Sequence, residues 1–540
     1  MVTLLSFLCF YSLIYFHGRG IKYIFFKKKN ISLYNIPINI FYPLISLFFI
    51  GNLAVLLNFV VAIDNLVSYS IILIPLIFNS KYINFDEFKI KLNNILLFFI
   101  TPLIIGITSL NTNVSYDGGL YHLNHQKWIQ TEKIVIGLYN NHKRFGYSSI
   151  IEYINSLFWI DENLILIHFV NIIFVVVFFQ IIYKLLFTKF FGFSLSILIY
   201  GFLDNFGFNG GKNNFIESEA VTMLDTPFAV VFIISTYLIY NYWNDERDID
   251  KSELFFILLI CIFSMQLRPL GIISSLFFLI SLLRSKQTIN FLNLLFKDYL
   301  FLTIFLFVFI LKNLFTSSCI FYPITFTCFN NLYWTGGNYS APQAEVMLLR
   351  NFHVAIDRYN FKFWFNEWLA KDINSYIFFN ILMSLGVIII FNYLFRSNSN
   401  KNKTKLLFLL LYFVVSLAIW MISSPSLRFG IGILLVFIFL ISQYFSVEFQ
   451  INSPKKYFLI SIFYLFVIGT FPQSNNYFKL TNIDTHLELR IIKATEINYV
   501  KNSSGYGVLP AEGDQCWVNK ECVRNPNVLK EVKNSYIIFK

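Results

Sequence analysis

Residues 163–187 read NLILIHFVNIIFVVVFFQIIYKLLF, an almost unbroken apolar run. Its length matches the ~20 apolar residues that an α-helix needs to cross the hydrocarbon core of a bilayer. Similar runs recur along the 540-residue chain, which is 56% hydrophobic and 13% charged, with a mean hydropathy of +0.62. Ordinary soluble proteins are about 25% charged. The sequence therefore predicts an all-α polytopic membrane protein, and it excludes a cytosolic enzyme and a secreted disulfide scaffold.

About fourteen apolar segments between charged stretches are candidate membrane helices, and we expect about 12–14 of them to span, because several are short. The first segment lacks a basic leader region and a small-residue cleavage site, which indicates a retained helix and not a signal peptide. The segments are residues 2–17, 38–62, 65–78, 93–110, 163–187, 189–203, 220–243, 254–267, 270–283, 295–315, 376–395, 406–424, 429–446 and 456–471.

The lysines and arginines of the short loops predict the orientation of the chain, because cytoplasmic loops are enriched in them. With fourteen helices in alternation, every such cluster falls on the cytoplasmic side. The clusters are Arg19 with Lys22 and Lys27 to Lys29, Lys184 with Lys189, Arg284 with Lys286, Arg396 with Lys401, Lys403 and Lys405, and Lys455 with Lys456. Topology thus explains much of the net charge of +12, and no nucleic-acid partner is indicated.

The same topology divides the chain into six regions in a bacterial inner membrane, with the active face toward the periplasm or cell exterior. They are N-terminal transmembrane helices (1–110), a first periplasmic loop with an amphipathic surface helix (111–162), central transmembrane helices (163–315), a periplasmic loop (316–375), C-terminal transmembrane helices (376–471) and a small periplasmic tail (472–540).

The exterior cysteines are candidates for disulfide bonds in an oxidising compartment. Cys516 and Cys522 in the tail are close enough in sequence to close a small loop, and Cys319 and Cys328 form a second candidate pair. The chain has no P-loop or other nucleotide-binding fingerprint, so an ATP-driven pump is not indicated.

Asp117 stands where the fourth candidate helix opens into the first exterior segment. Two interpretations are open: Asp117 caps the following amphipathic helix, as Asp often does, or it serves as a carboxylate base or metal ligand facing a cavity. Helical spacing places side chains on two faces of that helix. One face holds Asp117, Tyr121, Asn124 and Trp128, and the other holds His122 and His125, whose spacing would also allow a metal site.

Several cations lie on the same outer side, where the orientation rule disfavours them. Lys127 and Arg144 flank the amphipathic stretch and either face the site or extend to lipid headgroups. Arg268 (in MQLRPLG) and Arg428 (in SSPSLRFG) each fall in a short, otherwise apolar exterior turn. Guanidinium groups bind phosphate bidentately, so these two arginines are candidate clamps for a phosphate or pyrophosphate, with headgroup binding as the alternative.

Asp225 follows about one turn inside the outer end of the seventh candidate helix. An aspartate inside a membrane normally faces the bundle interior and pairs with a cation, for which Arg268 or Arg428 is the expected partner. Glu217 and Glu219 either extend this carboxylate group or are solvated loop charges.

Five stretches in order resemble an incompletely characterised bacterial family of GT-C-type membrane glycosyltransferases encoded with surface-polysaccharide genes. They are YDGGLYHLNHQKW with GLYNNHKRFGYSS (116–149), LDTPFAV (224–230), KNLFTSSCIFYPITFTC (312–328), SSPSLRFGIG (423–432) and PAEGDQCWVNKEC (510–522). The resemblance implies a GT-C-like fold and an acidic catalytic residue in the first exterior loop, a place that Asp117 occupies. It also implies a lipid-phosphate-linked sugar donor; whether a divalent metal is needed stays open.

We therefore expect a glycosyltransferase that moves a sugar from a polyprenyl-phosphate-linked donor to a cell-envelope glycan or glycolipid. Asp117 is the expected catalytic base, and the expected substrate-binding residues are Tyr121, His122, Lys127, Arg144, Asp225, Arg268 and Arg428. The exterior tryptophans suit either stacking on sugars or anchoring at the membrane surface; they include Trp334, Trp364, Trp368 and Trp517. The alternatives are a polymerase of lipid-linked repeat units and, less favoured, a flippase or transporter.

Overall fold

The computed structural model describes residues 1–25, 31–80, 92–205, 220–222, 224–243, 250–284, 299–335, 366, 368–370, 372–394, 403–423, 427–445, 454–472, 474–481 and 488–540. It is mostly helical, and each of the fourteen predicted apolar segments overlaps a helix. These helices are α1 (Val2–Phe25), α2 (Tyr42–Asn58), α3 (Asn65–Ser80), α4 (Asn93–Asn111), α7 (Ile165–Leu185), α8 (Phe191–Asn205), α9 (Asp225–Tyr242), α10 (Lys251–Leu267), α11 (Ile272–Arg284), α12 (Leu300–Ser317), α13 (Asp372–Leu394), α14 (Lys403–Ser423), α15 (Leu427–Phe445) and α16 (Pro454–Gly469).

Seven helices in the described part of the chain are long and apolar enough to cross a membrane, as the composition predicts for a multi-pass membrane protein. They include α1, α4, α7, α12 and α15, with residues Ile38–Asn58 and Lys403–Met421 as the other two. Shorter apolar helices occur at Asn65–Ile77, Phe191–Asn205, Pro269–Arg284 and Asn374–Ile390.

Helix α7, which forms most of the apolar run of residues 163–187, lies at the centre of the bundle. All of its 21 residues are buried except Leu166 and Lys184. A buried amide is normally hydrogen-bonded, and that of Gln180 links this helix to its neighbours. The Gln180 amide donates to the Tyr11 hydroxyl at 2.9 Å and to the Leu97 carbonyl at 2.7 Å, which ties α7 to α1 and α4.

Two short strands bring distant parts of the chain together. Strands β3 (Asn113–Val114) and β4 (Ala220–Val221) pair in parallel, and the Ser115 and Thr222 hydroxyls lie 3.0 Å apart just beyond them. An additional two-stranded pair, β1 (Ser32–Leu33) with β2 (Ile36–Pro37), lies between α1 and α2. The β3–β4 pair places the start of the Asp117 segment beside the start of α9.

The first exterior segment contains the helix expected after Asp117, but this helix is not laid open on a membrane surface. It consists of a π-helical turn (Gly118–His122) followed by α5 (Leu123–Thr131), and α6 (Ile150–Leu157) packs beside it. Most of the α5 residues are buried, including Trp128 at 1% exposure. The expectation of an exposed surface helix is wrong because the C-terminal tail folds back over it.

That tail forms two antiparallel hairpins after a short helix, α17 (Ser474–Thr481). They are β5 (Tyr499–Lys501) with β6 (Val508–Pro510) and β7 (Lys530–Lys533) with β8 (Tyr536–Phe539). Disulfide bonds join Cys516 to Cys522 and Cys319 to Cys328.

Contacts between the tail and the first exterior segment are close. The Trp517 amide donates to the Gly119 carbonyl at 2.7 Å, and a Cβ at Gly119 would lie 2.9 Å from the Trp517 ring, so only glycine fits there. The Asn124 amide donates to the Asn519 carbonyl, and Lys520 pairs with Glu132 at 2.6 Å. The disulfide-closed loop thus covers the turn that follows Asp117.

Candidate functional site: an arginine–aspartate cluster

Asp117 contacts arginines and does not cap the helix that follows it. Its side chain makes no capping hydrogen bond, and one carboxylate oxygen instead accepts from Arg428 at 2.7 Å. The other oxygen lies 4.0 Å from a guanidinium nitrogen of Arg144. The interpretation of Asp117 as an N-cap is therefore wrong, because the charges of two arginines compete more strongly for a carboxylate than a backbone amide does.

Asp225 begins α9 and does not lie a turn inside it. The chain before it is extended in β4, Thr222 has a positive φ of 71°, and Pro227 favours a first helical turn at this point. A carboxylate in the first turn is stabilised by the helix dipole. The sequence left open whether Arg268 or Arg428 would be its partner, and the structure pairs Asp225 with both.

Arg268 follows the last residue of α10, where its extended backbone ends the helix before Pro269. The turn into α11 is tight: a Cβ at Gly271 would lie 2.2 Å from the Ser264 backbone, so glycine is required. This close turn places the Arg268 guanidinium against the Asp225 carboxylate. Arg428 lies in the first turn of α15, and its Nε approaches the second Asp225 oxygen at 2.8 Å.

Five of the predicted site residues thus form one chain of ion pairs, which we term the arginine–aspartate cluster: Arg144, Asp117, Arg428, Asp225 and Arg268. They come from the first exterior segment and from the ends of α9, α10 and α15. Three guanidinium groups face two carboxylates, so the cluster carries one excess positive charge. Its side chains are 9–40% exposed, which leaves the cluster reachable by a ligand.

The arginines hold Asp117 in its ionised form. Burial acts to raise the pKa of the Asp117 carboxyl, but the interactions with Arg428, His122 and Arg144 more than offset it and keep this pKa below its usual value. In the neighbouring Tyr121, burial and then the Asp117 charge raise the pKa of the hydroxyl, so this group stays protonated.

Aromatic rings support the guanidinium groups. The Phe429 ring lies 4.4 Å from Arg268 and 5.1 Å from Arg428, and the Tyr121 ring lies 5.6 Å from Arg144. Guanidinium groups over ring faces gain a favourable cation–π interaction without losing their hydrogen-bonding edges. The rings therefore position the arginines while the nitrogen atoms stay available for an anion.

A second cluster of polar side chains lies near the arginine–aspartate cluster. Its central residues, Glu152 and Lys312, were not predicted from the sequence. Glu152 of α6 is 2% exposed, accepts from His122 Nδ1 and accepts from the Gln126 amide at 2.8 Å. Lys312 of α12 is fully buried, interacts electrostatically with Glu152 and donates to the Ser148 carbonyl at 2.5 Å. We term Glu152, His122, Gln126 and Lys312 the Glu152 cluster.

The pKa of Glu152 follows from these contacts. Burial acts to raise it, but the electrostatic interaction with His122 and the hydrogen bonds from His122 and Gln126 outweigh burial and hold the pKa of the carboxyl low. Two sequence signals could have pointed to this cluster. Glu152 occurs in a strongly amphipathic helix, and Lys312 occurs near the end of an apolar one.

Lys127 is not part of either cluster. Its ammonium lies 5.4 Å from the centre of the Trp159 ring. His125 is 3% exposed and packs 5.4 Å from the Phe145 ring, so it does not join His122 in a ligand pair. Burial lowers the pKa of the His125 imidazole from its usual 6.5 to about 4.

The tryptophans considered for sugar stacking have separate surroundings. Trp517 covers Gly119, Trp334 packs on Phe315, and Trp368 packs on Trp420. Glu217, Glu219 and Trp364 lie outside the described residues. Within the described ranges, no group of three His, Cys, Asp or Glu side chains is arranged to hold a metal ion.

Comparison with known proteins identifies a family but no function. No curated protein and no solved structure is significantly similar to this chain. One family model matches residues 1–435, a stretch that includes every member of both clusters and ends before the tail. The chain therefore belongs to the family described as Domain of unknown function (DUF8201).

Proposed function

We propose that this protein is a GT-C-type membrane glycosyltransferase, which transfers a sugar from a polyprenyl-phosphate-linked donor to a cell-envelope glycan or glycolipid on the outer face of the bacterial inner membrane. The arginine–aspartate cluster is the observation that carries the proposal. It joins two carboxylates to three guanidinium groups beside the ends of apolar helices, and it is partly open to solvent.

The excess positive charge of the cluster suits a lipid-linked phosphate. The hydrocarbon tail of such a donor keeps its phosphate at the boundary between lipid and water. Arg428 and Arg268 would bind the phosphate oxygens, and their charge would stabilise the phosphate as it leaves with the bonding electron pair. Stabilising charge that develops only in the transition state raises the rate of the chemical step.

Asp117 would act as the general base. The acceptor hydroxyl attacks the anomeric carbon, its proton passes to Asp117, and the bond from that carbon to the phosphate oxygen breaks. A general base typically contributes about 10²–10⁴-fold to a rate. Inversion at the anomeric carbon follows from such a single displacement.

An ordered helix after Asp117 supports a transferase over a polymerase of lipid-linked repeat units. A long, ordered surface helix in this place would favour a GT-C-type enzyme, whereas a dominant late exterior loop would favour a polymerase. The helix over Gly118–His122 and Leu123–Thr131 directly follows the carboxylate, although it is short and the tail covers it.

A deletion strain tests the proposal through the size and sugar composition of its lipid-linked and surface glycans. Glycan units that lack one sugar would support transfer. Complete single units that no longer form chains would favour the polymerase, and glycans identical to those of the parent would reject both enzymes.

Variants returned to the deletion strain test the assigned roles. We expect Asp117→Asn and Arg428→Ala, inserted at wild-type levels, to fail to restore the glycan, with Asp117→Asn lowering transfer by about 10²–10⁴-fold. Glu162→Gln is the matched control, because Glu162 is an 80% exposed carboxylate of the same exterior segment. Full restoration by Asp117→Asn would remove Asp117 from the mechanism.

A further inference from the structure

Arg428 is the shared member of the arginine–aspartate cluster. One terminal nitrogen contacts Asp117 at 2.7 Å and its Nε contacts Asp225 at 2.8 Å. Each carboxylate has a second arginine, Arg144 for Asp117 and Arg268 for Asp225. Arg428 is therefore the one arginine of the cluster that contacts both carboxylates, and each carboxylate would keep a neighbouring cation if Arg428 turned to a ligand.

Arg428 is also the most accessible of the three arginines. Its side chain is 40% exposed, against 25% for Arg144 and 23% for Arg268. A ligand that approaches from solvent meets this guanidinium first. Removing a charge from a partly exposed ion pair costs little, whereas leaving a buried charge alone costs several kcal/mol.

We propose that Arg428 exchanges partners during the reaction: the phosphate of the donor takes its guanidinium from Asp117, and Asp117 becomes an effective base only after this exchange. The inference rests on the proposed function and adds an order of events to it. The donor binds first, and its binding activates the residue that deprotonates the acceptor.

The charges around Asp117 give the physical reason. Arg428, His122 and Arg144 act against the burial of the carboxyl, and the Tyr121 and Tyr116 hydroxyls lie within electrostatic range. A carboxylate with a lowered proton affinity is a weaker base. When phosphate occupies Arg428, Asp117 loses a charge-assisted hydrogen bond and gains a negative neighbour, so its affinity for a proton increases.

The exchange also separates the tasks of the two carboxylates. Asp225 stays bound by Arg268 and keeps the end of α9 fixed to the turn between α10 and α11. Asp117 is held by Arg144 only at 4.0 Å, so it is the carboxylate that changes protonation. Binding of the phosphate should therefore be accompanied by proton uptake at Asp117.

Calorimetry of the purified full-length protein in neutral detergent tests this inference. The probe is dioctyl phosphate, a diester like the donor phosphate. Its single charge does not titrate near pH 5, the pH of the experiment. Dioctylglycerol is the uncharged control lipid. Titrations in two buffers of different ionisation enthalpy give the number of protons taken up. We expect uptake of up to one proton by the wild-type protein and by Glu162→Gln, and none by Asp117→Asn.

The outcomes separate this inference from the proposed function. Binding with the same proton uptake in wild type and Asp117→Asn would overturn the exchange and leave a phosphate site in place. Absence of binding, or equal binding of dioctylglycerol, would overturn the phosphate site and the proposed function with it. The Arg428→Lys protein should bind dioctyl phosphate roughly tenfold more weakly, because a lysine ammonium lacks the planar fork with which arginine contacts phosphate and Asp225 together. An unchanged affinity would exclude Arg428 as the residue that binds the phosphate.

Discussion

The two clusters share one helix yet differ in charge and access. Asp117 at the start of the helix belongs to the arginine–aspartate cluster, whose side chains are 9–40% exposed and which has an excess positive charge. His122, one turn further on, belongs to the Glu152 cluster, where Glu152 is 2% exposed and Lys312 is fully buried. A site that binds an ion needs access and uncompensated charge, whereas a structural pair needs neither. The comparison therefore favours the first cluster for the proposed ligand binding and the second for support of the helix.

The largest effect that tests this comparison is on stability. We expect Glu152→Gln to lower the free energy of unfolding by about 3–5 kcal/mol, because it removes the buried negative charge that interacts with Lys312 and the carboxylate that accepts from His122 and Gln126. Asp117→Asn should change it by about 1 kcal/mol or less, since that carboxylate is partly solvated. Thermal unfolding of the purified variants measures both.

A double variant controls for effects of the mutation other than charge. Replacing Lys312 by Met in the Glu152→Gln protein removes the unpaired cation, so it should recover part of the lost stability. Equal destabilisation by Glu152→Gln and Asp117→Asn would show that burial does not distinguish the two clusters.

The disulfide of the tail offers a smaller and more local test. Replacing Cys516 and Cys522 by serine should cost about 2 kcal/mol through the entropy of the opened loop. Because this loop covers Gly119, hydrogen exchange should accelerate at the amides of residues 116–124. The amides of α6, which carries Glu152, should keep their protection.

The second disulfide is the matched control for that experiment. Serine at Cys319 and Cys328 should loosen the packing around Tyr139 and Tyr322, the residues that this pair contacts. If hydrogen exchange at residues 116–124 were also faster in this control variant, the tail disulfide would have no specific effect on the start of the helix that follows Asp117.

The smallest expected effect concerns pH. Burial, followed by Arg524 and Arg144, lowers the pKa of the His142 imidazole from its usual 6.5 to about 3. Below pH 6.5 the unfolded chain therefore binds a proton that the folded chain does not, so stability is full above pH 6.5 and is lost as the pH falls toward 3. The loss from this residue is about 1.4 kcal/mol at pH 5.5.

His142→Asn should remove this pH dependence and keep the local fold. The Nδ1 of His142 accepts from the Arg144 amide at 3.1 Å, and an asparagine oxygen can accept the same hydrogen bond. Unfolding temperatures at pH 5.5 and 7.5 should therefore differ less for the variant than for the wild-type protein. Equal differences would assign the acid sensitivity to other groups, among them the buried His125, whose pKa is also lowered by burial.

The sequence by itself determined the helical membrane architecture and the identity of all five members of the arginine–aspartate cluster. All fourteen apolar segments overlap helices, because hydrophobic runs and their spacing are local properties of the chain. Charged residues close to the membrane are costly and usually functional, which is why the sequence already pointed to Asp117, Arg144, Asp225, Arg268 and Arg428.

Only the tertiary structure decided which of these charges meet. Asp117 and Arg428 are 311 residues apart in the chain, and no local pattern states that their helix ends are neighbours. The same limit hid Glu152 and Lys312, which come within electrostatic range of each other only in the folded chain. It also hid the tail that covers the helix after Asp117. Sequence patterns report the free energy of placing each segment in lipid or water, whereas a site arises from the packing of segments against one another.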